Sequence, residues 1–536
     1  MQWMDEWTET QIGFEKVRKA LHPLSVYGQL HKLARLPFER GDEVAWQANH
    51  EDALRLFNGI GQPLGHATVF SRLTEELSDM SDVRSVPALL MHGASLPMEQ
   101  VVALKRFVVQ VLTLDRALAQ GKMFFSWWLI TGMAEIAQQL SAHTGELSRD
   151  FSLNDLNDAE YDQALHDYQQ TRAQRLNAER RFLQVVGQDF RMTLRRDQTL
   201  VFALDDQAKV AQAKCDERLR LRLQTPFDVV FDPIWPSEVR VFQSQEQTDA
   251  EQLGQQEARL FAILSELVRP YARHLDVAIA SVGRLDELLA RVQMARTGEY
   301  AWSTLGTMVQ VQAGRQPDMP EWVPVDVNLR ASVAILTGPN MGGKTAAQKT
   351  WLLLQACHQM GYPVPAIGFT APLFQALRYV GGDAQSLASG LSSFGAEMVK
   401  CKEALEIVGG FICFDEIGRH TNPAEGQAII TALIEALQGK RDGQYVLATH
   451  YSLPDQVGVQ YLRVAGIRED ALTMEGTRQL PPDAWIERLN AVMDYHIIEV
   501  DSGEVPRQGL MIAKLLGLPE SLLARAANLL DEKAKR

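Results

Sequence analysis

The eight residues Gly338-Pro339-Asn340-Met341-Gly342-Gly343-Lys344-Thr345 fit the pattern G-x-x-x-x-G-K-[ST]. The run before them, Ala331-Ser332-Val333-Ala334-Ile335-Leu336-Thr337, reads as a buried strand, and residues 346–360 follow with helical spacing. A strand, a glycine-rich turn and a helix in that order make a phosphate cradle. The glycines let backbone N–H groups turn inward, Lys344 can neutralise β and γ phosphates, and the Thr345 hydroxyl is placed for Mg²⁺. The motif alone also fits a turn that binds nothing; its flanks argue for the cradle and for an α/β domain in this half of the chain.

A second segment supplies the missing half of that chemistry. Phe411-Ile412-Cys413-Phe414 is a continuous apolar run, as expected of a parallel strand buried on both faces, and it ends in Asp415-Glu416. Asp415 is positioned to hold Mg²⁺ and Glu416 to orient or deprotonate an attacking water. The plainer alternative is a solvated strand end with two ordinary acids. Further on, Tyr445-Val446-Leu447-Ala448-Thr449 predicts another strand and delivers His450 to its carboxyl end, the edge where open α/β sheets collect ligands. An imidazole there can hydrogen-bond a γ phosphate or the water, or simply be a satisfied polar residue.

Four blocks in this order resemble the ATPase domain of the MutS family: the cradle itself, Ser389-Gly390-Leu391-Ser392-Ser393-Phe394-Gly395-Ala396-Glu397-Met398, Asp415-Glu416-Ile417-Gly418-Arg419-His420-Thr421, and Ala448-Thr449-His450-Tyr451. Gly314-Arg315-Gln316-Pro317 and Val323-Pro324-Val325-Asp326-Val327-Asn328-Leu329 resemble the lead-in to that domain, and residues 509–521 its closing helical element. The resemblance implies an ABC-type P-loop ATPase that takes ATP and Mg²⁺. In it, Gly338 to Thr345 hold the nucleotide, Thr345 and Asp415 the metal, Glu416 acts on water, and His450 senses the γ phosphate. It further implies a homodimer, with Ser392 and Ser393 of one subunit reaching the nucleotide of the other. The chain departs from the family's repair members at His420, where they carry glycine, and Thr421-Asn422-Pro423-Ala424-Glu425-Gly426 leans to the MutS2 branch. The Smr domain usual in that branch is not expected, nor is the mismatch-reading module: of twenty phenylalanines only Phe414 has Glu two residues on, and that belongs to the acidic strand.

The chain has 536 residues, 46% of them hydrophobic, enough for several cores. A net charge of −14 disfavours indiscriminate polyanion binding, so contact with nucleic acid requires a local basic patch. Cys215, Cys357, Cys401 and Cys413 lack C-x-x-C spacing, which points to a reducing compartment without a zinc site. The start resembles no signal peptide, and residues 123–134, the most membrane-like stretch, are too short to span a bilayer and read as a core helix; a cytoplasmic protein is expected.

Read with that family resemblance, the pattern along the chain implies a helical core and lever region (1–150), a clamp-like arm (151–255), returning lever helices (256–310), the ATPase domain (311–500) and a helical dimerisation element (501–536). The arm opens with a long polar helix carrying Tyr161, Leu165 and Tyr168 on one face. Thr199-Leu200-Val201-Phe202-Ala203-Leu204, Arg218-Leu219-Arg220-Leu221-Arg222-Leu223 and Glu238-Val239-Arg240-Val241-Phe242 then alternate as the strands of a small sheet. Arg218, Arg220 and Arg222 would share one face of such a strand, either to grip phosphates or as a solvated face paired with acids such as Asp216 and Glu217. Two functions are compatible with this reading. One is a MutS-type ATPase that clamps branched or mismatched DNA. The other is an ATP-driven protein-remodelling factor, for example a reactivase for an adenosylcobalamin-dependent aminomutase, without DNA binding.

Overall fold

The computed structural model describes residues 2–61, 63–64, 67–141, 149–191, 198–317, 322–339, 342–382, 393–440, 442–467, 493–502, 510, 513 and 518–534. They fall into two compact units: residues 1–77, 119–125 and 282–536 form the first, and 78–118 and 126–281 the second. This differs from the division drawn from the sequence, in which 1–150 stood as one helical region. Composition does not register which distant segments the chain brings back together.

In the second unit, long helices Ala159–Asp189 and Ser237–Val268 pack side by side. Arg175 bonds both Glu179 of its own helix and Glu246 of the other. A three-stranded antiparallel sheet, with Asp228–Pro233 between Leu200–Ala203 and Leu219–Gln224, closes a small core around Phe190, Phe202 and Phe231. The third strand expected at 238–242 is instead the start of the helix Ser237–Val268. Five alternating residues cannot separate strand from helix. The 32-residue element continues with Leu260, Leu264 and Val268 buried on one helical face, while Val241 is exposed. Residues 123–131 are not a helix either, because Ser281 Oγ donates to the carbonyl of Trp127 and accepts from the N–H of Leu129. No helix among the described residues is long and apolar enough to cross a membrane.

In the first unit a six-stranded sheet carries the sequence motifs. Its strands are β1 (Val333–Thr337), β2 (Ala376–Val380), β3 (Gly410–Asp415), β4 (Gln444–Ala448), β5 (Val459–Ile467) and β6 (Met493–Val500), in the order β2-β3-β4-β1-β5-β6. All pairs are parallel except β5 with β6. Every residue of β1, β3 and β4 is buried, as their unbroken apolar runs predict. Alternate side chains serve two cores. Leu377, Tyr379, Phe411 and Cys413 face the helix after the glycine turn, Lys344–Gln359, where Trp351 is fully buried. Val380, Ile412 and Phe414 face the helix Pro423–Gln438 through Ile430, Ile434 and Leu437. The period of two therefore sends Asp415, like Cys413, toward the start of the glycine-turn helix.

The far end of that helix is anchored by polar contacts in the same unit. Arg35 Nε donates to Met360 O at 2.6 Å, fully buried Arg291 donates to Gly361 O at 2.9 Å and pairs with Glu287 at 3.2 Å, and Trp46 Nε1 donates to His358 O at 2.7 Å. Burial pushes the His358 imidazole down to about 3, so it is neutral in the folded chain. An unfolded histidine titrates near ~6.5. As pH falls below ~6.5 the unfolded chain gains a proton that the folded chain refuses, so stability is lost between there and about 3. Thermal unfolding at pH 7 and pH 5 checks this: the midpoint should drop at pH 5, and His358→Gln should shrink the drop; an identical drop in the variant contradicts it.

Candidate nucleotide site

Register builds the site. Asp415 pairs with Ala448 and Ala448 with Leu336, so β1, β3 and β4 end level with one another. Gly338, Asp415-Glu416 and Thr449-His450 thereby emerge at one carboxyl edge. Gly343, with φ of 84°, caps the helix Lys344–Gln359 in the left-handed region that a side chain disfavours. Lys344 is buried; its Nζ donates to Gly338 O at 3.0 Å and Pro339 O at 3.2 Å, and lies 3.5 Å from Glu416 Oε1. Thr345 Oγ1 donates to Asp415 Oδ2 at 2.7 Å. The phosphate-binding and acidic motifs, 70 residues apart, thus form one site.

Glu416 is one of few non-glycine residues with positive φ, 54°. Such a backbone costs on the order of 1–3 kcal/mol and persists where its surroundings impose it, here through an N–H bond to Ala448 O at 2.9 Å. The twist turns the carboxylate out of the core, between Lys344 and, at 3.8 Å, Arg419. His450 reaches the same edge, but its ring is exposed and packs on Tyr451 at 4.3 Å. Asn340, Met341 and Ser392 lie outside the described residues, and Ser393 opens the helix Ser393–Leu405. Arg218 precedes its strand and binds Asp216 and Asp189 at 2.7 and 2.8 Å, while Arg220 and Arg222 approach Asp232 of the neighbouring strand at 3.8 and 3.4 Å. These three arginines are accordingly the acid-paired face of a sheet.

Several groups at the site were not singled out in the sequence. Tyr379 OH donates to Asp415 Oδ2 at 2.7 Å; burial, then the Asp415 charge, pushes its phenol far above the usual value and keeps it a donor. Gln348 Nε2 bridges Phe414 O and Val446 O, both at 3.1 Å, tying the glycine-turn helix to β3 and β4. Lys349 lies 5.0 Å over the Tyr379 ring, its ammonium disfavoured by burial and favoured by Asp415. Glu397 accepts from Gly418 N at 3.2 Å, and burial raises its pKa. The polar pair Gln348 and Lys349 just after the glycine turn was the available signal, though Thr350, Gln355, His358 and Gln359 further along are buried polar residues too.

A cavity of about 510 Å³ opens beside the turn, lined by Gly343, Lys344, Thr345, Glu416, Gln11 and Trp322 among others. Within it the groups suit a magnesium-bound triphosphate. Asp415 Oδ1 is buried and has no hydrogen-bond partner among the described residues, and an orphaned carboxylate oxygen is costly unless a cation takes it. With the Thr345 hydroxyl it makes an all-oxygen donor set, the kind Mg²⁺ prefers.

Residues 334–533, from β1 through the last helix, match the family model described as MutS domain V. Over this stretch the chain is similar to the MutS family. The DNA mismatch repair protein MutS of an Exiguobacterium species is 31% identical over 285 residues, 51% of this chain and 32% of that protein. That of Thermus aquaticus is 30% identical over 292 residues, 53% of this chain and 33% of that protein. The chain thus spans about a third of the length of these MutS relatives.

Gly381 shows how closely this site is packed, since a Cβ there would stand 2.7 Å from Asp415 Cβ and 2.9 Å from Asp415 O. Gly381→Ala is expected to destabilise the first unit by about 1–3 kcal/mol through overpacking. Denaturant unfolding reads this directly, and an unchanged midpoint would contradict the packing described.

Proposed function

We propose that the chain binds ATP with Mg²⁺ and hydrolyses it, working as a dimer in the manner implied by the ABC-type resemblance. The observation that carries the reading is the 2.7 Å bond between Thr345 and Asp415, with Lys344 and Glu416 paired beside it. Lys344 leaves the two carbonyls and the carboxylate for the β and γ phosphates, whose charge it neutralises. Asp415 Oδ1 and the Thr345 hydroxyl hold the metal, which when bound supplies charge compensation on the phosphates. Glu416, only partly exposed and freed from Lys344 by the incoming phosphates, takes the proton of the attacking water. His450 senses the γ phosphate, and Ser392-Ser393 of a second copy complete the site. Trp322, half-buried at the edge of the cavity, offers an apolar surface for a base.

We further propose that the ATPase serves a clamp on branched or mismatched DNA, supported by kinship with mismatch repair proteins and by the helix-sheet-helix outline of the second unit. The cytoplasm is the proposed compartment. A second reading, remodelling of a protein partner, is favoured by the pairing of Arg218, Arg220 and Arg222 with acids, which leaves that strand little positive charge for phosphates.

Glu416→Gln should retain ATP binding and lose about 10²–10⁴-fold in turnover. Turnover equal to that of the unaltered chain would remove the role given to this carboxylate. Binding to four-way junction, mismatched and homoduplex DNA across a salt series separates the two functions. A DNA clamp should bind, be stimulated, and weaken steeply with salt; absence of binding at low salt in every nucleotide state would leave the protein-remodelling reading.

A further inference from the structure

We propose that Tyr379 is a positioning residue for the metal-binding carboxylate of Asp415, and that the N-terminal helix α1 (Glu6–Ile12) braces it in place. The inference rests on the nucleotide-site reading above and adds to it a part of the chain far from the motifs.

Asp415 Oδ2 accepts two hydroxyls, Thr345 Oγ1 and Tyr379 OH, each at 2.7 Å, while Oδ1 is buried without a partner. One hydrogen bond leaves a carboxylate free to swing about its Cβ–Cγ bond. Two donors to the same oxygen, one on the glycine-turn helix and one on β2, restrain that rotation and leave Oδ1 as the open acceptor. Outer donors of this kind commonly set the orientation of metal ligands. The Thr345 hydroxyl is itself a prospective ligand, so Tyr379 is the donor whose only task is to hold Asp415.

Tyr379 is in turn held from α1. Its N–H donates to Thr8 Oγ1 at 3.0 Å, and Thr8 is fully buried. Lys349 Nζ, over the Tyr379 ring at 5.0 Å, donates to Gln11 Oε1 at 2.8 Å. Both contacts come from one helix that packs on β2 and on the glycine-turn helix. Gln11 and Ile12 also line the cavity shared by Lys344 and Thr345. A segment 338 residues upstream in sequence therefore forms a wall of the nucleotide site and supports its metal ligand.

The test uses the full chain and a fluorescent, slowly hydrolysed ATP analogue, titrated by fluorescence first in EDTA and then with increasing Mg²⁺. Tyr379→Phe should bind the analogue in EDTA as the unaltered chain does, but need about 10–100-fold more Mg²⁺ for half-maximal enhancement. The same Mg²⁺ midpoint in the variant overturns the inference. Gln11→Ala, which spares the core, should shift the midpoint the same way by a smaller factor. If Tyr379→Phe does not fold, as judged by its unfolding transition, an unshifted midpoint in Gln11→Ala overturns the inference in its place. Should the unaltered chain show no Mg²⁺-dependent binding at all, the nucleotide-site reading itself fails; Mg²⁺-dependent binding unchanged by the substitutions removes the positioning role alone.

Discussion

The level ending of three buried parallel strands is the constraint on which this molecule's chemistry rests. Because Asp415 pairs with Ala448 and Ala448 with Leu336, the acidic pair, the glycine turn and the histidine-bearing edge share one rim. A slip of one residue in β3 would turn Asp415 from the face of the glycine-turn helix to that of the helix Pro423–Gln438. What prevents the slip is the two-sided burial of Phe411, Ile412, Cys413 and Phe414, each fully removed from water. At about 1.5–3 kcal/mol per large apolar side chain, misregister is strongly disfavoured.

On this frame the polar groups are arranged by mutual satisfaction. Lys344 is buried yet sits against two carbonyls and a carboxylate, Gln348 ties two strand ends to the helix, and Asp415 takes two hydroxyls on one oxygen. Among the described residues of this cluster, two buried oxygens lack a hydrogen-bond partner, the Asp415 Oδ1 carboxylate oxygen and the Gln348 Oε1 amide oxygen. A buried carboxylate oxygen, which carries charge, is costlier to leave unpaired than an amide oxygen and is the physical pointer to a cation. The same helix that begins at Lys344 ends against Arg35, Arg291 and Trp46, so both its ends are pinned by polar contacts within one unit.

Much of this site was legible because its signals are local. A glycine turn between an apolar run and a helix, and an acidic pair after four apolar residues, depend on neighbours only a few positions away. The small sheet was legible for two of its strands: in Leu200–Ala203 alternation coincides with a buried face, whereas in Leu219–Gln224 only Leu219 is buried. It misled at Glu238–Phe242, where alternation of five residues is a fragment of a helix entered from Pro236. In the C-terminal helix Glu520–Ala534, Leu523 is buried and Leu522 exposed.

Local pattern alone established the glycine turn, the acidic strand and the α/β character of the half of the chain that carries them, since strand burial and turn geometry are encoded within short windows. Long-range packing settled the rest: that Tyr379, Thr8 and Gln11 converge on Asp415, that the arginines of the arm face Asp189, Asp216 and Asp232, and that residues 1–77 join the C-terminal half as one unit. Hydrogen bonds and ion pairs between residues tens or hundreds of positions apart depend on which strands neighbour which, and strand order leaves no mark in the composition or period of any single segment.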